Sequence, residues 1–213
     1  MSRTAVLFDL DGTLWDTAAQ VAPAWQRLLE PYGVTVTPQV TAGLMGKTAA
    51  QIAAALLPGL PPAGALQLVD QCCREELYDL RVTGGSLYPA LRETLAALRS
   101  RHLLALVSNC QDGYAQTFLD RHGLWPLISD YEMSGRTGLT KGRNIRLVMA
   151  RNRVERAVFV GDTAGDQAAA REAGVPFLHA AYGFGSLPAG DAPRGVLHAL
   201  GQLPALLEAL NLP

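Results

Sequence analysis

The sequence has little of several things that mark particular functional classes. Charged residues make up only 17% of the 213, and Lys plus Arg (18) nearly balance Asp plus Glu (19). With no basic excess, nothing points to a nucleic-acid partner, and no acidic tail points to a solvating role. Cysteine is scarce: Cys72, Cys73 and Cys110. An odd count with two adjacent residues makes a poor disulfide framework and reads as reduced thiols in a cytoplasmic protein. No CxxC or Cys/His cluster suggests zinc. No run of about 18 apolar residues is present to span a bilayer. The apolar run that starts at Ala5 is broken by Asp9 and Asp11, too soon for the core of an export signal. Repeats and low-complexity segments are also missing. These absences predict an unexported, soluble protein that engages neither nucleic acid nor membrane; they leave its oligomeric state open, monomer or homodimer.

What is present is a core-forming composition, 49% hydrophobic, enough for one domain or one domain with an insertion. Ala5–Phe8, Leu103–Val107 and Ala157–Val160 are apolar runs without polar alternation, as expected of strands buried on both faces. Val175–Leu178 is a weaker fourth. Helical spacings lie between them: Leu91, Leu95 and Leu98; then Phe118 and Leu119; then Ile145, Val148 and Met149; then Ala168–Ala173, closed by Gly174. This alternation predicts an α/β fold, a Rossmann-like parallel sheet with helices on both faces, whose function gathers beyond the carboxyl ends of the strands. Residues 16–82 break the pattern. Ala22, Trp25, Leu28 and Leu29 share one helical face, Ile52, Leu56 and Leu57 a second, and Leu66, Val69, Cys73 and Leu77 a third. Pro58–Gly64 reads as a loop. The expectation is a small all-helical domain over 16–82, inserted into a core made of 1–15 and 83–213. Its hinges are Asp16-Thr17 and Gly84-Gly85. A final helix is expected from Pro204.

Four short segments carry chemistry. Asp9-Leu10-Asp11-Gly12-Thr13 directly follows the first strand. Acids at i and i+2 share a side of an extended chain, and their burial is costly unless a hard cation such as Mg2+ offsets the charge. Gly12 and Thr13 fit the turn that leaves the strand. An EF-hand would need further alternating acids and a downstream Glu, which are absent. In Gly161-Asp162-Thr163-Ala164-Gly165-Asp166 one acid ends the third strand and a second sits a helical turn later. A plain helix cap is the alternative for that segment on its own. Ser108-Asn109, after the second strand, offers a hydroxyl and amides at a strand-to-helix turn, a seat for phosphate or simply a cap. Lys141, in Thr140-Lys141-Gly142, is a cation at a helix start.

In this order DLDGT, VSN, LTKG and VGDTAGD resemble the four motifs of the haloacid dehalogenase-like hydrolases, over nearly the whole chain. The helical insertion is similar to the mobile cap of the phosphoglycolate phosphatase-like and β-phosphoglucomutase-like branch. The resemblance implies a phosphatase for a small phosphate monoester, with phosphoglycolate foremost. Asp9 would be the nucleophile that forms an aspartyl-phosphate. Asp11 would be the acid for the leaving alcohol and then the base for water. Ser108 and Asn109, with Gly12 and Thr13, would hold the phosphoryl group, and Lys141 would neutralise charge between it and Asp9. Mg2+ would be held by Asp9, the Asp11 carbonyl, Asp162 and Asp166. Lys47, in Gly46-Lys47-Thr48, would face substrate from the cap. The Tyr182-Gly183-Phe184-Gly185 loop also matches this branch. Trp15 departs from it, since an aliphatic residue is usual there; it would either narrow the pocket or pack at the hinge.

Several other readings compete. Gly46-Lys47-Thr48 is no P-loop, because Thr41 stands where that motif requires Gly. Gly183 and Gly185 begin a GxG, but Pro188 ends the dinucleotide pattern. The four histidines lie outside the motifs, which argues against a His-based phosphatase. Asp11 argues against the dehalogenase branch. A phosphonatase would use a cap lysine, for which Lys47 is a poor match. A sugar phosphomutase of the β-phosphoglucomutase type stays open; it would need a sugar-phosphate pocket and slow hydrolysis of its aspartyl-phosphate. A non-catalytic binding module would be expected to have lost Asp9, Asp11 or Asp162.

Overall fold

A computed structural model describes residues 4–212. Its centre is a six-stranded, wholly parallel sheet in the order β5-β4-β1-β6-β7-β8. The strands are β1 (Thr4–Phe8), β4 (Leu103–Ser108), β5 (Asp130–Met133), β6 (Arg156–Gly161), β7 (Phe177–Ala180) and β8 (Gly195–Leu197). The chain leaves central β1 for β4 on one side and later returns to β6 on the other. Strand order therefore reverses at β1, the place where such sheets open a crevice. The register aligns Phe8 with Leu106 and Val160, so Asp9, Ser108 and Asp162 all emerge at one edge.

Alternate residues feed two cores. Val6, Phe8, Leu104, Leu106, Val158 and Val160 join the core under α5 (Leu91–Arg99), α6 (Tyr114–His122) and α10 (Leu203–Ala209). Ala5, Leu7, Ala105, Val107 and Phe159 join the one under α8 (Lys141–Arg151) and α9 (Ala164–Ala173). A strand buried on both faces has no polar alternation, which is why these three runs were legible. The fourth begins later than the sequence suggests, at Phe177: Pro176 has no N–H for the ladder, and only its carbonyl joins in, accepting from Phe159 N at 2.9 Å. The edge strands β5 and β8 escaped sequence reading. β5 is DYEM, whose acids are held by Arg151 and Arg136, and β8 is only three residues long.

After β1 the chain enters a two-stranded ribbon, β2 (Trp15–Asp16) with β3 (Ser86–Leu87), which brackets four helices. These are α1 (Ala18–Leu29), α2 (Pro38–Ala42), α3 (Ala49–Leu56) and α4 (Pro62–Thr83); α7 (Ser134–Thr137) follows β5. The expected loop over 58–64 is shorter than read, because Pro62 starts α4, where a missing N–H costs nothing. The buried stripe of α4 also differs: it is Ala65, Val69, Cys72, Glu76 and Leu80, while Leu66 is exposed. A glutamate occupies the core-facing turn, so a hydrophobic count selects the neighbouring face. Trp15 packs rather than lining a pocket: fully buried, it meets Tyr114, Phe118 and His122 edge-on at 5.4, 5.0 and 5.7 Å. The three cysteines are free thiols. No helix among the described residues is long and apolar enough to cross a membrane.

Candidate active site

Asp9 and Asp162 leave β1 and β6, and Asp166 and Lys141 come from the first turns of α9 and α8; all four are buried. Asp9, Asp162 and Asp166 each present an oxygen within 4.8 Å of the others. The Lys141 ammonium lies 3.0 Å from Asp9 Oδ1 and 2.6 Å from Asp166 Oδ1. Burial works against that ammonium, but Asp166 and Asp9 outweigh it and hold its pKa above the usual lysine value. Burial and then Asp166 raise Asp9 well above the carboxylate range, against the pull of Lys141. Asp162 is pushed up to about 7, by burial first and Asp166 second. One cation for three crowded carboxylates leaves excess negative charge, and Asp162 Oδ1 is buried without a hydrogen bond. Such a set of hard oxygens fits a divalent cation such as Mg2+.

The loops around these acids are held by their own backbone. Thr163 caps α9: its hydroxyl accepts from Asp166 N, while Thr163 N and Oγ1 donate to Asp166 Oδ2 at 2.9 and 2.7 Å. Asp166 thus spends one oxygen on the cap and the other on Lys141. The second oxygen of Asp162, Oδ2, accepts from Phe184 N at 2.8 Å and Gly185 N at 3.1 Å. Sequence reading flagged that loop as family-like without finding this task. Gly12 turns under Asp162 with φ +77°, and a Cβ there would lie 2.2 Å from Asp162 Oδ2, so only glycine fits.

Asp11 lies outside the group of three. Its Oδ1 accepts from Thr17 Oγ1 and Tyr114 Oη, both at 2.8 Å, and its Oδ2 has Cys110 Sγ at 3.4 Å. Burial raises its pKa, against those hydrogen bonds. Thr13 is fully buried and its hydroxyl has no partner, while Tyr182 Oη donates to the Thr13 carbonyl at 2.8 Å. Ser108 Oγ points to Cys110 Sγ at 3.4 Å. The Asn109 amide donates across to the Gly46 carbonyl at 2.8 Å and accepts from Ser134 Oγ at 3.1 Å.

Beside Asp11 opens a cavity of about 390 Å³, walled by Trp25, Ile52 and Leu77 from α1, α3 and α4 and by Asn109 and Tyr114 from the segment after β4. Lys47 lines its mouth, with its ammonium 2.6 Å from the Gly43 carbonyl. Glu76 on α4 also lines it, accepting from Trp25 Nε1 at 2.6 Å and Gln111 Nε2 at 2.9 Å. Sequence reading missed Glu76, Gln111, Tyr114 and the role of Cys110. The run Cys110-Gln111-Asp112-Gly113-Tyr114 right after Ser108-Asn109 was the available signal, since a strand-to-helix turn at a strand's carboxyl end faces the site.

This architecture and these residues have known counterparts. Residues 6–180 match the family described as haloacid dehalogenase-like hydrolase. The chain belongs to that family. It is 32% identical to the plasmid phosphoglycolate phosphatase of Cupriavidus necator, over 98% of this chain and 95% of that protein. It is 31% identical to the phosphoglycolate phosphatase of Agrobacterium fabrum, over 96% and 92%. Among solved structures, a haloacid dehalogenase-like family hydrolase of Streptococcus pneumoniae superposes with a TM-score of 0.81 at 24% identity, over 95% of this chain and 97% of that one. That likeness speaks for the fold alone.

Proposed function

We propose that this haloacid dehalogenase-like hydrolase is a Mg2+-dependent phosphatase that cleaves a small phosphate monoester through an aspartyl-phosphate on Asp9. The observation that carries the reading is the Lys141 ammonium set between Asp9 and Asp166, beside Asp162. Attack by a carboxylate on a phosphate dianion is repulsive, and catalysis of this transfer is mostly positioning and charge compensation. In this reading Asp9 attacks phosphorus and Asp11 gives its proton to the departing oxygen; Asp11 then takes a proton from the water that hydrolyses the acyl phosphate. Lys141 offsets charge on Asp9 and the phosphoryl oxygens. Ser108, Asn109 and the Gly12-Thr13 turn hold those oxygens, and the unpartnered Thr13 hydroxyl supports this. Asp9, Asp162, Asp166 and the Asp11 carbonyl hold Mg2+, which when bound supplies further positive charge against the phosphoryl oxygens. Residues 16–82 serve as a cap that excludes water, with Lys47 at its substrate side. The relatives' names make phosphoglycolate the first ester to assay.

The test is phosphate release from a panel of small monoesters, with Mg2+ and with chelator, in wild type and Asp9→Asn. Chelator-sensitive release that falls about 10⁴-fold or more in the variant is expected. Without substrate, Mg2+ should also raise the wild-type unfolding temperature, and do so less in Asp162→Asn. Mg2+-dependent turnover that survives in Asp9→Asn would sink the assignment.

A further inference from the structure

Tyr114 has no part in the scheme above, yet it reaches the acid through a buried contact. Its ring is fixed against Trp15 at 5.4 Å, and its hydroxyl donates to Asp11 Oδ1 at 2.8 Å. Thr17, at the base of the ribbon, donates to the same oxygen at 2.8 Å, and the two hydroxyls lie 3.2 Å apart. Oδ1 is therefore occupied by two good donors. Oδ2 has only a thiol, a weak donor, at 3.4 Å. Asp11 and Tyr114 both line the cavity that would receive the leaving group.

We infer that Tyr114, with Thr17 beside it, is a positioning residue: it holds Asp11 Oδ1 and so commits Oδ2 to the proton transfer to the leaving oxygen. The inference rests on the phosphatase reading. In the step concerned, an Asp9 oxygen bonds to phosphorus and the bond from phosphorus to the ester oxygen breaks. The proton on Asp11 Oδ2 passes to that oxygen, releasing an alcohol and leaving Asp11 as carboxylate. A buried aromatic ring packed against Trp15 defines the carboxyl plane better than a mobile side chain would, and a general acid depends on that alignment.

The acid matters for an alkyl ester, whose alkoxide is a poor leaving group, and little for p-nitrophenyl phosphate, whose phenolate leaves unaided. The value of kcat/KM reads this first transfer and excludes the later hydrolysis of the acyl phosphate. Tyr114→Phe keeps the ring and removes the hydroxyl. It is expected to lower kcat/KM for an alkyl phosphate such as phosphoglycolate by about tenfold or more, and for p-nitrophenyl phosphate by less than about threefold. In an Asp11→Asn background the same change should cost the alkyl ester almost nothing, because no acid remains to be aligned. Equal losses on both esters, or no loss on either, would overturn the inference. If the Phe variant does not fold, Thr17→Val decides by the same split: selective loss supports shared positioning and uniform loss refutes it. Absence of any Asp9-dependent p-nitrophenyl phosphate turnover in wild type would instead refute the phosphatase reading itself.

Discussion

Buried acids face this site from two sides, and the chain gives them different partners. On the sheet side, Asp9, Asp162 and Asp166 crowd around the ammonium of Lys141, 3.0 Å from Asp9 and 2.6 Å from Asp166. On the opposite wall, Glu76 of α4 has two neutral donors, Trp25 and Gln111, and no ion-pair partner among the described residues. Hydrogen bonds from neutral groups lower its pKa less than burial raises it, and it is pushed up to about 7 from an ordinary 4.5. The sheet side answers its charge with one ammonium and leaves a remainder, which with burial raises Asp9 and lifts Asp162 to about 7. The α4 wall tolerates an acid by letting it carry a proton. A buried carboxyl is thus not one kind of object, and the partner decides which kind it becomes.

The largest expected effect breaks the sheet-side arrangement. Lys141→Met leaves three buried acids without their cation. Denaturant unfolding should show a loss of about 3–5 kcal/mol, and turnover should fall about 10³-fold. A variant as stable as wild type would show that Lys141 offsets none of the charge there and that the contrast with Glu76 is false.

The next effect concerns Glu76. The folded state holds its proton between about pH 4.5 and 7, where the unfolded chain releases it. Stability must therefore fall as pH rises through that window, by on the order of 3 kcal/mol for this group. Thermal unfolding of wild type and Glu76→Gln from pH 4.5 to 8 isolates it, since other titrations are common to both. The difference between the two should change steadily in favour of the variant with rising pH. A constant difference would place the Glu76 proton elsewhere.

The smallest effect separates structure from chemistry. Both regions carry a capping box: Thr163 with Asp166 on α9, and Thr48 with Gln51 on α3. Thr163→Ala and Thr48→Ala should each cost about 1 kcal/mol of stability. Only Thr163→Ala should also cut phosphate release, by about tenfold, because Thr163 holds the Asp166 oxygen opposite Lys141. Equal loss of turnover in both would tie α3 to catalysis as directly as the turn between Asp162 and Asp166.

The sequence alone determined the sheet's three buried strands, the helices between them, and the acids and Lys141 that follow. These are local facts: a strand buried on both faces must be apolar throughout, and a turn at its end must carry whatever the crevice uses. Gly12 belongs here too, as a position whose reason became visible only when Asp162 came to lie beside it. The edge strand β5 stayed hidden because its acids are satisfied by Arg136 and Arg151, from outside the strand. The face of α4 was misread because Glu76 is buried by partners 51 and 35 residues away. Tyr114 reaches Asp11 across 103 residues, and the Asn109 amide reaches Gly46 across 63. Periodicity records which residues avoid water; it says nothing of a polar side chain's partner when that partner is distant in the chain. The tertiary structure alone decided those pairings, because only packing brings a donor within 3 Å of an acid and removes the water that would otherwise serve it.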